Sequence, residues 1–243
     1  MTPLRHPIVL LDVGDTLIGP RESFGATYER VLADLGARAP AAALQRGLRA
    51  CWADVNRNHE PGVDRYGMYA GGEDEYWLRF VEKTLALTPG LSSDAGFAAR
   101  ALTPLRDAFR DPSAWRVFDD VVPALDALRG MGARLGVVSN WDSRLPELLG
   151  ALGLSSRFDT VVVSHLEGVE KPSPELFLRA VGRLGGSPGQ ALHVGDAPEL
   201  DDAGARAAGI ASLIVDRRGR LSGEHGALTG LAMLPEIARV GRR

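Results

Sequence analysis

The sequence has few of the residues that build disulfide frameworks and thiolate metal sites. Among its 243 residues, Cys51 is the single cysteine, which excludes a disulfide framework and a zinc site built on cysteine thiolates. The five histidines show neither the HExxH pattern nor another zinc spacing. This cysteine usage is typical of a reducing compartment, so we expect a cytoplasmic protein.

Excess charge and long apolar runs are also missing. The formal net charge is −3, which argues against an obligate nucleic-acid or membrane-surface binder. The apolar run near the start of the chain is too short for a signal peptide or a transmembrane span. We therefore expect no nucleic-acid partner and no membrane partner. We further expect the protein to be a monomer or a homodimer.

One short run of large aliphatic residues is present, from Ile8 to Leu11, and it stops at Asp12. Four such residues without alternating polar ones predict a strand that is buried on both faces. Asp12 would then lie at the carboxyl end of a central strand, where open α/β sheets bind ligands. An aspartate at this place is a candidate nucleophile or metal ligand, although most such residues only form turns or helix caps.

After Leu17 the pattern changes from strand to helix, because apolar residues recur at three- and four-residue spacing. Pro104 interrupts the last helical stretch and predicts a kink, or a fresh start with Thr103 as its cap. The predicted helices are Phe24–Leu35, Ala41–Val55, Glu75–Leu87 and Asp94–Phe109.

Residues 56–74 are polar, rich in glycine and without periodicity. A loop of this length is more often functional or mobile than merely connecting. It contains Tyr66 and Tyr69, which we treat as candidate ligand contacts. Tyr28 and Tyr76 lie in predicted helices, where aromatic residues usually belong to the core.

From Val117 onward, short apolar runs alternate with helical segments, which predicts right-handed βαβ units and a parallel sheet. Gly209 is expected to end the last of these helices as its C-cap. The predicted strands are Leu135–Val138, Thr160–Val163, Ala191–Val194 and Ala211–Val215, and the helices are Val121–Met131, Arg144–Leu152, Pro174–Leu184 and Leu200–Ala208.

The opening strand has no partner nearby in sequence, so we place it among these later strands. The predicted fold class is therefore α/β. Residues 1–18 and 114–243 form one core, and residues 19–113 are a helical insertion into it.

Four polar side chains follow the predicted strands or lie in the loops after them: Ser139, Lys171, Asp196 and Asp201. Taken singly, each is more often an ordinary turn, cap or surface residue. Together with Asp12 they combine a carboxylate nucleophile, a hydroxyl, a cation and a carboxylate pair at one sheet edge. Phosphoryl transfer needs such positioning and charge neutralisation, and Mg²⁺ prefers a few carboxylates with a phosphate oxygen.

With these residues in this order, the sequence resembles the haloacid dehalogenase-like superfamily of hydrolases. The resemblance rests on four motifs in the order and at the spacing of that family. They are Asp12 with Thr16 and Leu17, Val138-Ser139-Asn140, Lys171-Pro172, and Gly195-Asp196 with Asp201, Gly204 and Ala205.

The resemblance implies a Rossmann-like parallel sheet with helices on both faces, and an α-helical cap inserted after the first motif. It implies a phosphatase for a small phosphorylated metabolite, in which Asp12 attacks phosphorus to form an aspartyl phosphate. Lys171 assists catalysis and also binds the phosphoryl group. By the same resemblance, Thr16, Ser139, Asn140 and Lys171 bind substrate, while Asp12, Gly14, Asp196 and Asp201 hold Mg²⁺.

The sequence departs from the family pattern at Gly14. Phosphatases of the family usually carry a second aspartate there as general acid and base, and the adjacent Asp15 does not obviously replace it, because one residue of displacement redirects a side chain. A glycine still offers its carbonyl oxygen to the metal, as the family's second position does. A subgroup of haloacid dehalogenase-like domain-containing proteins, which this sequence resembles, also lacks that aspartate.

Two other interpretations stay open because of Gly14. The true haloacid dehalogenases lack the second aspartate, use no metal and need an arginine for the substrate carboxylate, for which Arg46 or Arg49 would serve. Alternatively, the protein is a non-catalytic or very slow family member that binds a phosphorylated ligand or a protein partner. The pair Asp196 and Asp201 favours a metal site, and therefore the phosphatase.

Overall fold

The structure of the protein is a computed structural model, and it describes residues 4–91, 95–221 and 227–240. The chain divides into two compact units. Unit 1 comprises Met1–Gly19, Pro61–Asp64 and Val117–Arg243, and unit 2 comprises Pro20–Glu60 and Arg65–Arg116. Pro61–Asp64 thus belongs to unit 1, whereas the sequence prediction placed it within the helical insertion.

The described residues form seven strands, numbered β1 to β7 in chain order: Ile8–Leu11, Ile18–Pro20, Trp115–Val117, Arg134–Ser139, Thr160–Val163, Ala191–Gly195 and Ala211–Ile214. They also form ten α-helices, α1 to α10: Phe24–Asp34, Ala41–Asn58, Gly72–Ala86, Ala95–Arg110, Val121–Gly130, Leu145–Ala151, Ser164–Glu167, Pro174–Arg183, Ala203–Ala207 and Leu234–Val240. Shorter helical turns lie at Tyr66–Met68, Pro112–Ala114, Ser155–Arg157, Pro188–Gln190 and, as a π-helical turn, Pro198–Asp202.

Five parallel strands form the sheet of unit 1 in the order β5-β4-β1-β6-β7. β1 is central and all four of its residues are buried, as the continuous aliphatic run predicted. The order runs outward from β4 to β5 on one side of β1, and from β6 to β7 on the other. Ligands of open α/β sheets bind at the carboxyl ends of the strands where the order reverses. Asp12 follows β1 at this switch point.

The strands of this sheet are covered on both faces. Ile8 and Leu10 share a buried cluster with the apolar residues of α8 and α9. Val9 and Leu11 are also fully buried, and they face the opposite side because successive strand residues alternate. The predicted α/β class with a Rossmann-like parallel sheet is therefore confirmed.

Unit 2 is built from α1 to α4, whose apolar faces share one buried cluster. Close packing of α1 on α2 requires Gly25, since a Cβ there would lie 2.2 Å from the carbonyl oxygen of Ala41. The predicted helices of this region are present with bounds that differ by up to three residues, and Asp94 lies outside the described residues. No helix in the described part of the chain is long and apolar enough to span a membrane.

α4 continues through Pro104 without a break, so the predicted fresh start with Thr103 as its cap is wrong. A proline inside a helix loses one backbone hydrogen bond. Here the neighbouring Ala101 and Leu105 are buried in the cluster of unit 2, and their packing holds the helix together.

The tyrosines of unit 2 belong mostly to its core. Tyr28 and Tyr76 are buried, as predicted. Tyr66 is buried as well, and its ring centroid lies 4.8 Å from that of Tyr76. It therefore packs in the core of unit 2, whereas the sequence suggested a candidate ligand contact in a loop. Tyr69 is exposed over 37% of its surface.

Candidate functional site

The carboxyl ends of β1, β4 and β6 bring the predicted site residues to one edge of the sheet. Leu11, the last residue of β1, pairs with Val137 and Val194 of the two neighbouring strands. The N–H of Asp12 donates to the carbonyl oxygen of Val194 at 2.9 Å, so the chain is still held by β6 where the carboxylate begins. Ser139 ends β4 at the same edge.

Asp12 is a buried carboxylate that receives two hydrogen bonds on one oxygen. Ser139 Oγ donates to Oδ1 at 2.9 Å, and Lys171 Nζ donates to the same Oδ1 at 2.7 Å. Within the described part of the chain, Oδ2 accepts no hydrogen bond. Burial raises the pKa of the Asp12 carboxyl, and the positive charge of Lys171 opposes that shift. One oxygen is thus fixed in place while the other remains available.

Lys171 bridges Asp12 and Asp201. Its Nζ lies 2.6 Å from Oδ1 of Asp201, and all three side chains are less than 10% exposed. Burial acts to lower the pKa of Lys171, but the two carboxylates outweigh burial and raise it, so the amine carries its charge. Removing either partner of such a buried pair leaves an uncompensated charge, which is strongly destabilising.

Asp201 has two further partners. His193 Nε2 lies 2.9 Å from Oδ1, and the N–H of Ala197 donates to Oδ2 at 3.0 Å. Burial acts to raise the pKa of Asp201, but Lys171 and His193 outweigh it and hold that pKa well below its ordinary value. Asp201 is therefore ionised throughout the physiological pH range.

Gly195, at the end of β6, lets the carboxylate of Asp201 come close to the strand. A Cβ at residue 195 would lie 2.1 Å from Cγ of Asp201, which is closer than nonbonded atoms can approach. Asp201 belongs to the π-helical turn Pro198–Asp202 that precedes α9. Turns of this kind are frequent at functional sites. The glycine and the turn together bring Asp201 beside Asp12.

The carboxylates of Asp12, Asp196 and Asp201 form an acidic cluster that fits a divalent cation. One ligand oxygen from each lies within 4.8 Å of the others. Burial raises the pKa of Asp196 to about 7, and the charges of Asp12 and Asp201 add to that shift. Lys171 contributes one positive charge against three carboxylates. Hard cations such as Mg²⁺ prefer oxygen ligands of this kind.

Asn140 holds the backbone of Lys171. Its Nδ2 donates to the carbonyl oxygen of Lys171 at 3.0 Å, and its Oδ1 accepts from the N–H of Lys171 at 2.7 Å. The family resemblance implied that Asn140 binds substrate. In the structure, both the oxygen and the nitrogen of its side-chain amide are already hydrogen-bonded to the backbone of Lys171. Asn140 acts in this structure as a support for the lysine.

Two other predicted site residues lie in the loop after β1. Thr16 is fully buried, and its hydroxyl has no hydrogen-bond partner among the described residues. Gly14 forms an isolated bridge with Ile18, and its φ lies outside the left-handed region. A Cβ at residue 14 would meet Cζ3 of Trp141 at 3.5 Å, an ordinary contact distance. The backbone therefore does not require glycine at this position.

Asp15 is committed to two arginines. It has a φ of 52°, in the left-handed region, and its carboxylate pairs with Arg218 at 2.5 Å and with Arg220 at 3.0 Å. Arg220 also lies 3.8 Å from Oδ2 of Asp196. Arg218 and Arg220 are therefore ion-pair partners of the loop after β1.

Sequence reasoning left out two residues that touch the site. His193 lies within the predicted strand Ala191–Val194. It is fully buried, its ring packs edge-on against Phe177, and its Nε2 is hydrogen-bonded to Asp201. Trp141, beside Gly14, carried no signal of its own in the sequence. Its position directly after Ser139-Asn140 was the one available indication. Arg46 and Arg49, the arginines of the dehalogenase alternative, are exposed on α2.

Comparison with known proteins agrees with this geometry. The model of the haloacid dehalogenase-like hydrolase family matches residues 6–209. Human haloacid dehalogenase-like hydrolase domain-containing protein 3 is 35% identical over 213 residues, which cover 87% of this chain and 82% of that protein. Phosphoserine phosphatase of Thermus thermophilus is 31% identical over 234 residues, with 86% of this chain and 88% of the relative covered.

Solved structures show the same fold. The HAD-hydrolase YfnB of Bacillus subtilis, solved bound to magnesium, aligns with a TM-score of 0.72 at 19% identity, covering 96% of this chain and 99% of that one. The resemblance predicted from the four motifs, including the resemblance to the subgroup of domain-containing proteins, is confirmed. The chain belongs to the haloacid dehalogenase-like hydrolase family.

Proposed function

We propose that the protein is a Mg²⁺-dependent phosphatase that acts on a small phosphorylated metabolite through an aspartyl phosphate on Asp12. The observation that carries the proposal is the buried contact of Asp12 with Lys171, 2.7 Å apart, beside the acidic cluster at the switch point of the sheet. The relative named phosphoserine phosphatase supports phosphate as the transferred group.

Asp12 supplies the nucleophile. Its Oδ2, which accepts no hydrogen bond in the described part of the chain, attacks phosphorus, and the bond from phosphorus to the leaving oxygen breaks. Water then attacks the phosphorus of the aspartyl phosphate, which releases phosphate and restores the carboxylate. Lys171 holds Oδ1 throughout, and Ser139 holds it until the phosphoryl group is bound, so the attacking oxygen starts in a fixed orientation.

Lys171 and Ser139 are also the donors nearest to the phosphoryl group in this proposal. Preorganised donors in a site shielded from water stabilise the charge that develops during the transfer. The unpartnered hydroxyl of Thr16 is a third candidate donor among the described residues. Asn140 acts through the backbone of Lys171 and is a positioning residue.

The acidic cluster is the proposed metal site, with Asp12, Asp196 and Asp201 as carboxylate ligands and the carbonyl of Gly14 as a further one. Bound there, Mg²⁺ would neutralise the phosphate oxygens. Burial raises the pKa of Asp196, and the charges of Asp12 and Asp201 add to that shift, so a bound cation would stabilise the ionised form of the cluster.

Gly14 narrows the class of substrate. A positioned general acid is typically worth ~10²–10⁴-fold in rate. Asp15 does not provide one, since its carboxylate is paired with Arg218 and Arg220. The proposed substrates are therefore acyl, aryl or anhydride phosphates, whose leaving groups depart without a proton.

Phosphate release from acetyl phosphate tests the proposal. Release should require Mg²⁺, stop with a chelator, and fall at least about 10³-fold in Asp12→Asn, because the nucleophile is lost. Asp126→Asn, which removes an exposed carboxylate paired with Arg157 on the surface of unit 1, should leave the rate unchanged.

Other outcomes separate the alternatives. Metal-independent release of halide from a 2-haloacid would identify a dehalogenase. Binding of a phosphate ester without turnover of any substrate would identify the non-catalytic member. Either result, or full activity in Asp12→Asn, contradicts the proposal.

A further inference from the structure

The segment Pro61–Asp64, which we name the strap, comes from the insertion but packs with the core. Its chain neighbours, Glu60 and Arg65, both belong to unit 2, whereas the four strap residues belong to unit 1. The strap is therefore a short stretch in which the inserted sequence supplies part of the unit that carries Asp12.

The backbone of the strap is bound to the residues directly before Lys171. The carbonyl oxygen of Gly62 accepts a hydrogen bond from the N–H of Glu170 at 3.2 Å. Val63 forms an antiparallel bridge with Val169. Both contacts fall within two residues of Lys171.

The side chain of Asp64 adds a third anchor at the start of the same loop. Its Oδ2 lies 3.1 Å from Nδ1 of His165 in α7, and Asp64 is only 5% exposed. Hydrogen bonds between an ionised and a polar partner are about twice as strong as neutral ones. The strap thus holds the loop that runs from His165 to Lys171 at both of its ends.

The strap also touches the residues after Lys171. Gly62 has a φ of +86°, which favours glycine, and a Cβ there would lie 3.2 Å from Cβ of Ser173. Ser173 is the N-cap of α8. There is consequently little room at residue 62, and a larger side chain would push the strap away from the loop.

We infer that the strap is a positioning element for Lys171: it holds the two residues before the lysine, while Asn140 holds the lysine backbone itself. Three consecutive residues are held in this way. Val169 bridges Val63, the N–H of Glu170 donates to Gly62, and the N–H of Lys171 donates to Asn140.

The position of this backbone controls the site, because Lys171 Nζ reaches two carboxylates at 2.7 Å and 2.6 Å. A misplacement of about 1 Å in a catalytic group lowers rates by roughly 10²-fold. The catalytic consequence rests on the proposed function. The structural claim, that the strap keeps Lys171 buried and paired, does not.

The lysine content of the chain gives a direct test. Lys83 and Lys171 are its only two lysines. Lys83 lies in α3 and is 41% exposed, whereas Lys171 is 3% exposed. The ratio of Lys171 to Lys83 modification by an amine-reactive acetylating reagent, measured on peptides by mass spectrometry, reports local opening at Lys171. Neither substrate nor metal is needed.

Gly62→Ala and Asp64→Asn should each raise this ratio about tenfold, the factor that corresponds to losing one hydrogen bond to a charged group or an equal backbone contact. Exchange of the amide hydrogens of Glu170 and Lys171 should accelerate in the same variants. Opening that is confined to the strap leaves the rate at Lys83 unchanged.

Matched controls are available in unit 1. Gly132 has the same φ of +86°, and a Cβ there would have nothing within 4 Å, so Gly132→Ala imposes similar strain away from the loop. Asp126→Asn removes a carboxylate from another ion pair. Neither should change the ratio.

An unchanged ratio in both strap variants would overturn the inference, and so would an equal rise in the controls. Phosphate release separates it from the proposed function. If the strap variants raise the ratio while the unaltered protein hydrolyses no phosphate, the positioning role stands and the proposed function fails. If the protein is active, the strap variants should lower kcat more than they change KM.

Discussion

At the scale of single residues, the site lacks the usual general acid because residue 14 is a glycine, and it keeps the proposed nucleophile, Asp12. The absence of a second aspartate was visible in the sequence, because the motif fixes the spacing from Asp12. The sequence did not show that Trp141 lies beside Gly14, because the two residues meet only through the pairing of β1 with β4. Likewise, the position of His193 within a strand predicted burial, but it did not show that its ring meets Asp201.

The space at Gly14 allows the missing acid to be restored. Its φ lies outside the left-handed region, and a Cβ would contact Trp141 at an ordinary distance of 3.5 Å. Gly14→Asp should therefore raise the turnover of glycerol phosphate about 10²-fold, because a positioned acid protonates the alkoxide leaving group. Steady-state kinetics with Mg²⁺ measure this effect.

The control for this substitution is Gly14→Asn, which has a similar shape and no acidic proton. It should leave the turnover of glycerol phosphate low. An equal gain in the two variants would mean that the effect is steric and that a missing acid does not limit the reaction.

At the scale of elements, the strands were easier to predict than the turns between them. Continuous aliphatic runs fixed the strand Thr160–Val163 to the residue. Gly209, predicted as the C-cap, has a φ of 73° but lies one residue beyond the actual C-cap, Ala208. The predicted helix Leu200–Ala208 is instead a π-helical turn followed by α9. Local periodicity does not reveal this turn, because it depends on the packing of Asp201 against Gly195.

That packing makes a specific prediction for Gly195→Ala. The added Cβ would overlap Asp201, from whose Cγ it would lie 2.1 Å away, so the carboxylate must move out of the acidic cluster. Overpacking of this kind typically costs about 1–3 kcal/mol of unfolding free energy. The affinity for Mg²⁺ should fall about tenfold or more, since one of the three proposed carboxylate ligands is displaced.

Calorimetric titration with Mg²⁺ and denaturant unfolding measure the two effects. Gly189→Ala serves as the control, because that glycine precedes the same strand and has nothing within 4 Å of the added carbon. Unchanged Mg²⁺ affinity in Gly195→Ala would show that Asp201 does not bind the metal.

At the scale of the whole molecule, the α/β class and the parallel sheet followed from the alternation of strands and helices. The motifs indicated which residues meet at its edge, because the carboxyl ends of parallel strands share one edge. The strap escaped prediction, since four residues of a polar loop carry no periodicity that would assign them to unit 1. The ion pairs of Asp15 were not predicted for a related reason, because their arginine partners lie more than 200 residues away in the sequence.

The acidic cluster makes the stability of the metal-free protein depend on pH. Burial, followed by the charges of Asp12 and Asp201, raises the pKa of Asp196 from 3.8 to about 7. The folded state therefore binds more protons than the unfolded state between these values, and the unfolding free energy falls as pH rises through that range. The lowered pKa of Asp201 has the opposite effect, at more acidic pH than this window.

Mg²⁺ should reverse this loss, because it binds the ionised cluster. The increase in Tm on adding Mg²⁺ should be larger at pH 8 than at pH 5.5, as thermal unfolding at both pH values would show. Asp196→Asn should remove most of the difference. Equal increases at the two pH values in the unaltered protein would contradict a metal site at this cluster.

The most direct test of the central claim compares leaving groups on the unaltered protein. With saturating Mg²⁺, kcat/KM for acetyl phosphate should exceed that for glycerol phosphate by at least about 10²-fold, since only the second substrate needs the acid that Gly14 cannot supply. Both activities should disappear in Asp12→Asn. Equal kcat/KM values for the two substrates would contradict this account, in which the site attacks phosphorus but does not protonate the leaving group.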